Sequence, residues 1–397
     1  MMTDTGWVMT SAERLLSVTA AAVLVVATIS AGTAQTVPTA AVVEAGDPAP
    51  AVAPAVPSLS TEAVAPPAQA APPPAPGVPA PPAAPPPAPE QVAPAGPIPA
   101  PPEPPQAGCP VRKRPGATPF VAKPLPAPAV PDDALPAALP PGPKAADLDA
   151  VSGKGIWVTN WPGTKLDIPA IVERTRRAGL QSIWVRTGGS RQGYYGDRVL
   201  PKLVPAAHAA GLKVIAWDFP FLSDPVLDAE RAKAALDTGI DAFAPDVETS
   251  AEGTHATPQR VSLYLSLVRS YAGERPVAAT VPRPTPLRRK SFPYDAFQPY
   301  ADLFVPMVYW SCNEPGALVE QSLTELGRWL PVAPVGQGYD MGTEGGRAGL
   351  PTRAETWRFL DVAKRGGAVG ASLWTIEKVG DGQFGALTDY PWDQPAG

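Results

Sequence analysis

Histidine and cysteine are scarce in this chain, with two of each in 397 residues. His208 and His255 share no ligand spacing with each other or with a cysteine, so no metal centre and no cofactor is expected. Positive charge is not in surplus either. The 32 Lys and Arg against 37 Asp and Glu leave a net charge of −5. With no basic face in the second half, the balance argues against nucleic acid as a partner. No glycine-rich phosphate loop follows the first predicted strand, which removes the simplest nucleotide-binding reading. Aromatic residues are missing from one part of the chain: of 28, only Trp7 and Phe120 precede Asp149. A stretch without them has little to bury and cannot offset its own ordering entropy.

Proline and alanine fill that stretch. Of 57 prolines, 36 fall between Thr36 and Leu148, as in Ala71-Pro72-Pro73-Pro74-Ala75-Pro76. The composition predicts a disordered, polyproline-rich tether over residues 36–148, with a reach of at most roughly 350 Å at about 3.1 Å per residue. Its basic cluster, Arg112-Lys113-Arg114, is expected to be a solvating patch. Upstream, Leu15 to Ala31 is an apolar stretch of 17 residues followed by Ala31-Gly32-Thr33-Ala34. Residues 1–35 therefore read as a secretory signal with small residues at the cleavage positions, or as an uncleaved anchor just long enough to span. On either reading the domain over 149–397 is secreted or associated with the cell envelope, and it meets a membrane only if the segment is uncleaved. An oxidising location permits a Cys109–Cys312 bridge, with two free thiols as the alternative.

From Gly155 onward, short apolar runs alternate with amphipathic stretches. Strands are predicted at 156–159, 182–186, 213–217, 242–247, 276–281, 303–309, 332–336 and 368–374. Helices are predicted near 169–178, 200–210, 227–237, 257–271, 317–330 and 352–364, with only a short one near 294–297 in the proline-rich fifth crossover. Eight strands with crossovers in about 245 residues fit an α/β fold, the (β/α)8 TIM barrel, better than a doubly wound open sheet.

In such a barrel the residues that close each strand form one bowl. Asp246-Val247-Glu248 ends the fourth predicted strand, and residues two apart on a strand share a face, roughly 6.6 Å apart. Neighbouring carboxylates cannot both ionise freely, so one is expected to hold a proton near neutral pH and to serve as a general acid. The other predicted tips carry Asn160 and Trp161, Arg186, Asp218, Arg283, Tyr309 and Trp310, Gln337 and Tyr339, then Trp374 and Glu377. Aromatic faces mixed with amides, carboxylates and guanidinium groups suit a carbohydrate, whose C–H faces stack while its hydroxyls hydrogen-bond. His208 falls inside a predicted helix and is expected to pack or to face solvent.

These residues carry a resemblance. Gly155-Ile156-Trp157-Val158-Thr159-Asn160-Trp161-Pro162-Gly163 is similar to the opening strand of glycoside hydrolase family 25, the lysozyme-like muramidases. Ala178-Gly179-Leu180 and Ala209-Ala210-Gly211-Leu212-Lys213-Val214 resemble its next repeats, and Asp246-Val247-Glu248 its acid motif. The triplet, Met307-Val308-Tyr309 and Trp374 also resemble family 18, the chitinase-like barrels. Trp157 stands where family 25 has an Asp, and Ala244 and Trp310 stand where family 18 has acidic or amide residues. The resemblance implies that Glu248 protonates the glycosidic oxygen and that Asp246 stabilises positive charge or orients a substrate N-acetyl group. Tyr309 would hydrogen-bond the developing intermediate. A mechanism pairing Glu248 with Asp218 or Glu377 stays open.

The expected partner is a cell-wall or extracellular polysaccharide, peptidoglycan-like or rich in N-acetylhexosamine, bound by a monomer. Two other readings remain. One is a non-catalytic glycan-binding barrel displayed on a stalk. In the other, Asp246 and Glu248 form a structural ion pair with Arg186 or Arg283, and both carboxyls are held low.

Overall fold

A computed structural model describes residues 125–344 and 346–393. The signal or anchor segment, the tether up to residue 124, Cys109 and Arg112-Lys113-Arg114 lie outside the described residues. Among the described residues the strands are β1 (Gly153–Val158), β2 (Ser182–Gly189), β3 (Gly193–Tyr194), β4 (Lys213–Phe219), β5 (Ala242–Pro245), β6 (Ala278–Pro282), β7 (Leu303–Val308), β8 (Val335–Gln337) and β9 (Gly370–Trp374). Eight of them pair in parallel in the order β5-β4-β2-β1-β9-β8-β7-β6, and β3 is a short antiparallel addition to β2. The ring closes between β5 and β6 through the bridges Phe243↔Val277 and Asp246↔Thr280. The (β/α)8 barrel expected from the alternation is borne out.

Strand alternation sorts the apolar residues into two layers. Ile156, Val158, Ile183, Val185, Val214, Ala216, Phe243, Phe304 and Val308 pack outward against the helices. Trp157, Trp184, Ile215, Trp217, Ala242, Ala244, Ala278, Leu303, Val305 and Val335 fill the interior. Three of those interior residues are tryptophans, and the alanines of β5 and β6 leave the room they need. Trp157 stacks on Trp184 at 4.8 Å between centroids, and meets Trp217 at 5.5 Å and Trp374 at 5.7 Å. A buried indole N–H needs an acceptor. Trp157 donates to Ser372 Oγ, Trp184 to Ser182 Oγ and Trp217 to Val158 O.

The helices are α1 (Ile168–Arg177), α2 (Leu200–Ala209), α3 (Pro225–Leu236), α4 (Pro258–Ala272), α5 (Arg288–Ser291), α6 (Pro315–Leu326), α7 (Arg353–Arg365) and α8 (Asp381–Asp389). Most of the long ones have Pro in the first turn, where its missing N–H costs nothing, and a side-chain cap just before. Asp224 accepts from Val226 N and Leu227 N, Thr257 from Arg260 N, and Thr352 with Glu355 makes a capping box. Among the described residues, no helix is long and apolar enough to cross a membrane.

The packing of the barrel extends ahead of the domain boundary that composition places at 149. Residues 129–145 run as a strap along α4 and the segment after it. Ala129 N and Val130 N donate to Ser223, and Leu139 N donates to Ser266 Oγ. Ala145 N donates to Asp302 Oδ1, and Lys144 Nζ donates to Gln298 O and Ala301 O. The fully buried Arg260 reaches Asp132 and the carbonyls of Val130, Leu222 and Ser223. The strap then delivers Leu148, Ala150 and Val151 to the N-terminal mouth of the barrel, which they plug.

Candidate active site

The β5–β6 seam positions the acid pair. Asp246 bridges Thr280, Val247 N donates to Thr280 O, and Asp246 N donates to Asp218 O. Val247 points outward into the helix-facing core. By alternation, Asp246 and Glu248 face the bowl together.

Asp246 is 7% exposed and Glu248 half-buried. Burial pushes the Asp246 carboxyl up to about 7, with the Arg186 guanidinium pulling it down and the Asp218 and Glu252 carboxylates adding to the rise. Burial also lifts Glu248 well above the carboxylate range, and repulsion from Asp246 and Glu252 lifts it further. The raised acid is what the sequence predicts, but desolvation rather than the neighbouring charge is its largest cause. No ion pair joins either carboxylate to Arg186 or Arg283 among the described residues. Neither is held low, which contradicts the structural-ion-pair reading.

Tyr309, the residue after β7, meets Tyr339 edge-on at 5.6 Å. Burial holds its hydroxyl well above its ordinary value, and the Tyr339, Asp246 and Glu248 side chains act on it in the same direction. It therefore stays a proton donor facing the acid pair. Tyr339 is buried, donates to Glu344 Oε2 at 2.8 Å and carries Lys378 Nζ 5.3 Å from its ring centre. Trp374 is half-buried and packs on Trp157 and Trp217, so it forms the floor of the bowl. The Arg186 guanidinium carbon lies 5.1 Å from the ring centre of Trp217 and 4.1 Å from that of the 44% exposed Trp161.

Several predicted residues are spent on holding the rim. Asn160 adopts a left-handed backbone (φ 40°), which Asn tolerates better than most residues, and its Nδ2 donates to Arg186 O. Gln337 is fully buried: its Oε1 accepts from Ser311 N and its Nε2 donates to Tyr339 O. Glu377 accepts from Thr159 N and Oγ1 and so caps the tip of β1. Arg283 gives Nη1 to Gln321 Oε1. Cys312, beside this rim, is disulfide-bonded.

Two predicted residues do not reach the bowl. Trp310 follows the inward Tyr309, so alternation turns it outward, where it is fully buried against Phe359 of α7 at 5.5 Å. Asp218 follows the inward Trp217 and faces α3, where Arg231 Nε meets its Oδ2 at 2.9 Å. Burial raises it to about 6 against the pull of Arg231. His208 lies on the outer surface, 2.8 Å from Asp241.

Sequence reasoning names Trp374 at a strand tip but misses the interior tryptophans Trp157, Trp184 and Trp217 that pack beneath it, and the rim charges Glu252, Arg288 and Glu344 that act on Glu248. Arg288 opens the short helix α5 and Glu344 ends a single helical turn, both in connections too short to carry a periodic signal. Among the described residues, no three His, Cys, Asp or Glu side chains cluster as a metal site.

No protein-family model matches the sequence, and no curated protein matches it. Solved structures with a similar chain path include the spore cortex-lytic enzyme SleL of Bacillus cereus. The two are 12% identical, over 59% of this chain and 73% of that one, with a TM-score of 0.45. A chitinase from Chromobacterium violaceum is 12% identical over 59% and 98%, TM-score 0.46. A β-mannanase from the blue mussel Mytilus edulis is 10% identical over 60% and 91%, TM-score 0.43.

Proposed function

We propose that this domain is an exported glycoside hydrolase acting on a cell-envelope or extracellular polysaccharide, with Glu248 as general acid and Asp246 assisting. One observation carries the reading: two carboxyl groups share one face at the C-terminal tip of a barrel strand, and both are held protonated towards neutral pH. A carboxylic acid that keeps its proton at pH 7 can deliver it to a glycosidic oxygen as the bond breaks. Asp246, close to half-ionised near neutrality, can supply negative charge to an oxocarbenium-like centre or orient a substrate N-acetyl group that attacks it. The Tyr309 hydroxyl donates to the oxygen that gains charge. Trp374 below and Trp161 at the rim offer faces for sugar rings.

The motifs that resemble families 25 and 18 support the same assignment and favour a peptidoglycan-like or N-acetylhexosamine-containing glycan. Residues 1–35 support export, with the tether holding the domain off the membrane if they are retained.

A second reading, a stalked barrel that binds glycan without cleaving it, is favoured by Trp157. This residue replaces an acid of the family 25 pattern and is locked into the indole stack, so no carboxylate can stand there. The test is release of reducing ends by the full chain from peptidoglycan, chitin oligomers and a panel of α- and β-glucans. Release supports the hydrolase. Saturable binding to one glycan without release from any would transfer the assignment to the binding barrel.

A further inference from the structure

The bowl holds a buried cation that has no ion-pair partner among the described residues. Arg186 is 3% exposed, and its guanidinium carbon lies 4.1 Å from the ring centre of Trp161 and 5.1 Å from that of Trp217. Its Nε–H donates to Gly188 O at 3.2 Å, and among the described residues neither Nη has a hydrogen-bond partner. Buried arginines elsewhere in the domain are each matched by an acid: Arg231 by Asp218 and Asp228, Arg269 by Asp302, and Arg260 by Asp132. Among the described residues, Arg186 forms no ion pair.

The acids that act on Arg186 from a distance are Asp218 and Asp246. Asp218 is already bound to Arg231, and Asp246 keeps much of its proton near neutral pH. Each therefore gives Arg186 less than a full counter-charge. Removing a guanidinium from water without an acceptor for its outer N–H groups is unfavourable, and a ligand that brings the missing charge recovers that cost. The two indoles hold the planar fork in place, so it is pre-ordered for a planar, two-oxygen acceptor.

We infer that the free Nη edge of Arg186 binds a carboxylate borne by the glycan, so that the bowl selects an acidic, hexuronate-type polysaccharide over a neutral one. This rests on the bowl being the glycan site, and it names that site's substrate class. Arg186 then fixes which sugar stands beside the acid pair, while the exposed Trp161 covers the guanidinium and stacks on the ring it holds.

The test uses the full, disulfide-intact chain and calorimetric titration with matched pairs of oligosaccharides. Hexamers of galacturonate, glucuronate and hyaluronan are each compared with their carboxyl-reduced counterparts. At least one acidic hexamer should bind about tenfold or more tighter than its reduced form, as one charge-assisted bidentate contact implies. Arg186→Gln should bring that pair to within about twofold, and Arg186→Lys should keep part of the preference because it keeps the charge but not the fork. Equal affinity within every pair, binding of neutral forms alone, no binding of any acidic hexamer, or a preference that survives Arg186→Gln would each overturn the inference. The wild-type comparison decides even if a variant fails to fold. Acidic preference without bond cleavage would sink the hydrolase and leave this inference standing, and cleavage confined to neutral glycans would do the reverse.

Discussion

Neutralising Asp246 should flatten the dependence of stability on pH. The residue is 7% exposed, and its carboxyl is raised from an ordinary 3.8 to about 7 in the folded chain. Between those values the unfolded chain gives up the proton and the folded chain keeps it. This group's contribution is thus fully present below about pH 4 and is lost as pH rises through 7. Three pH units at about 1.4 kcal/mol each amount to roughly 4 kcal/mol in all, of which about 3 kcal/mol falls between pH 5 and pH 8.

Asp218, raised to about 6, adds a smaller loss of about 1 kcal/mol over the same window, and that loss remains in Asp246→Asn. Thermal unfolding of wild type and Asp246→Asn at pH 5 and pH 8 reads the difference. The fall in Tm between the two pH values should be about 6–12 °C smaller in the variant, at about 2–4 °C per kcal/mol for a domain of this size. Parallel falls in the two proteins would refute the reasoning, because they would mean that Asp246 ionises in the bowl as it does in water.

Further outcomes follow from where individual side chains sit. Trp161→Ala, at an exposed ring, should weaken glycan binding about tenfold with Tm nearly unchanged. Trp310→Ala should cost about 3–5 kcal/mol of stability and leave the affinity of the folded fraction alone, because its ring lies behind the barrel wall. A chain shortened to begin at Asp149 strips Arg260 of Asp132 and the Val130 carbonyl. It should lose about 3 kcal/mol in chemical denaturation relative to one that begins at residue 125. Equal stability of the two would mean that the strap is a passive passenger.

Strand and helix alternation was legible because each barrel strand is a short apolar run bounded by capping residues, glycines or prolines. The acid pair was legible for the same reason, since Asp246 and Glu248 follow the alternation of β5 directly. A list of strand tips that ignores parity puts Trp310 and Asp218 in the bowl. Alternation lets only one of two consecutive residues face the bowl, and Tyr309 and Trp217 take those places. The interior indole stack draws Trp157, Trp184, Trp217 and Trp374 from four strands, a meeting that no local pattern records. By composition the strap belongs to the tether. Its order comes from acceptors and charges more than 90 residues away, such as Ser223, Arg260 and Asp302, which a proline count does not contain.

The most direct test of the central claim is the rate of glycosidic cleavage by Glu248→Gln beside wild type, on the most rapidly cleaved glycan of the panel. Glutamine keeps the shape of the side chain and removes the proton. The account predicts a loss of at least about 10²-fold in kcat with KM little changed. Turnover by the variant within a few-fold of wild type would contradict it.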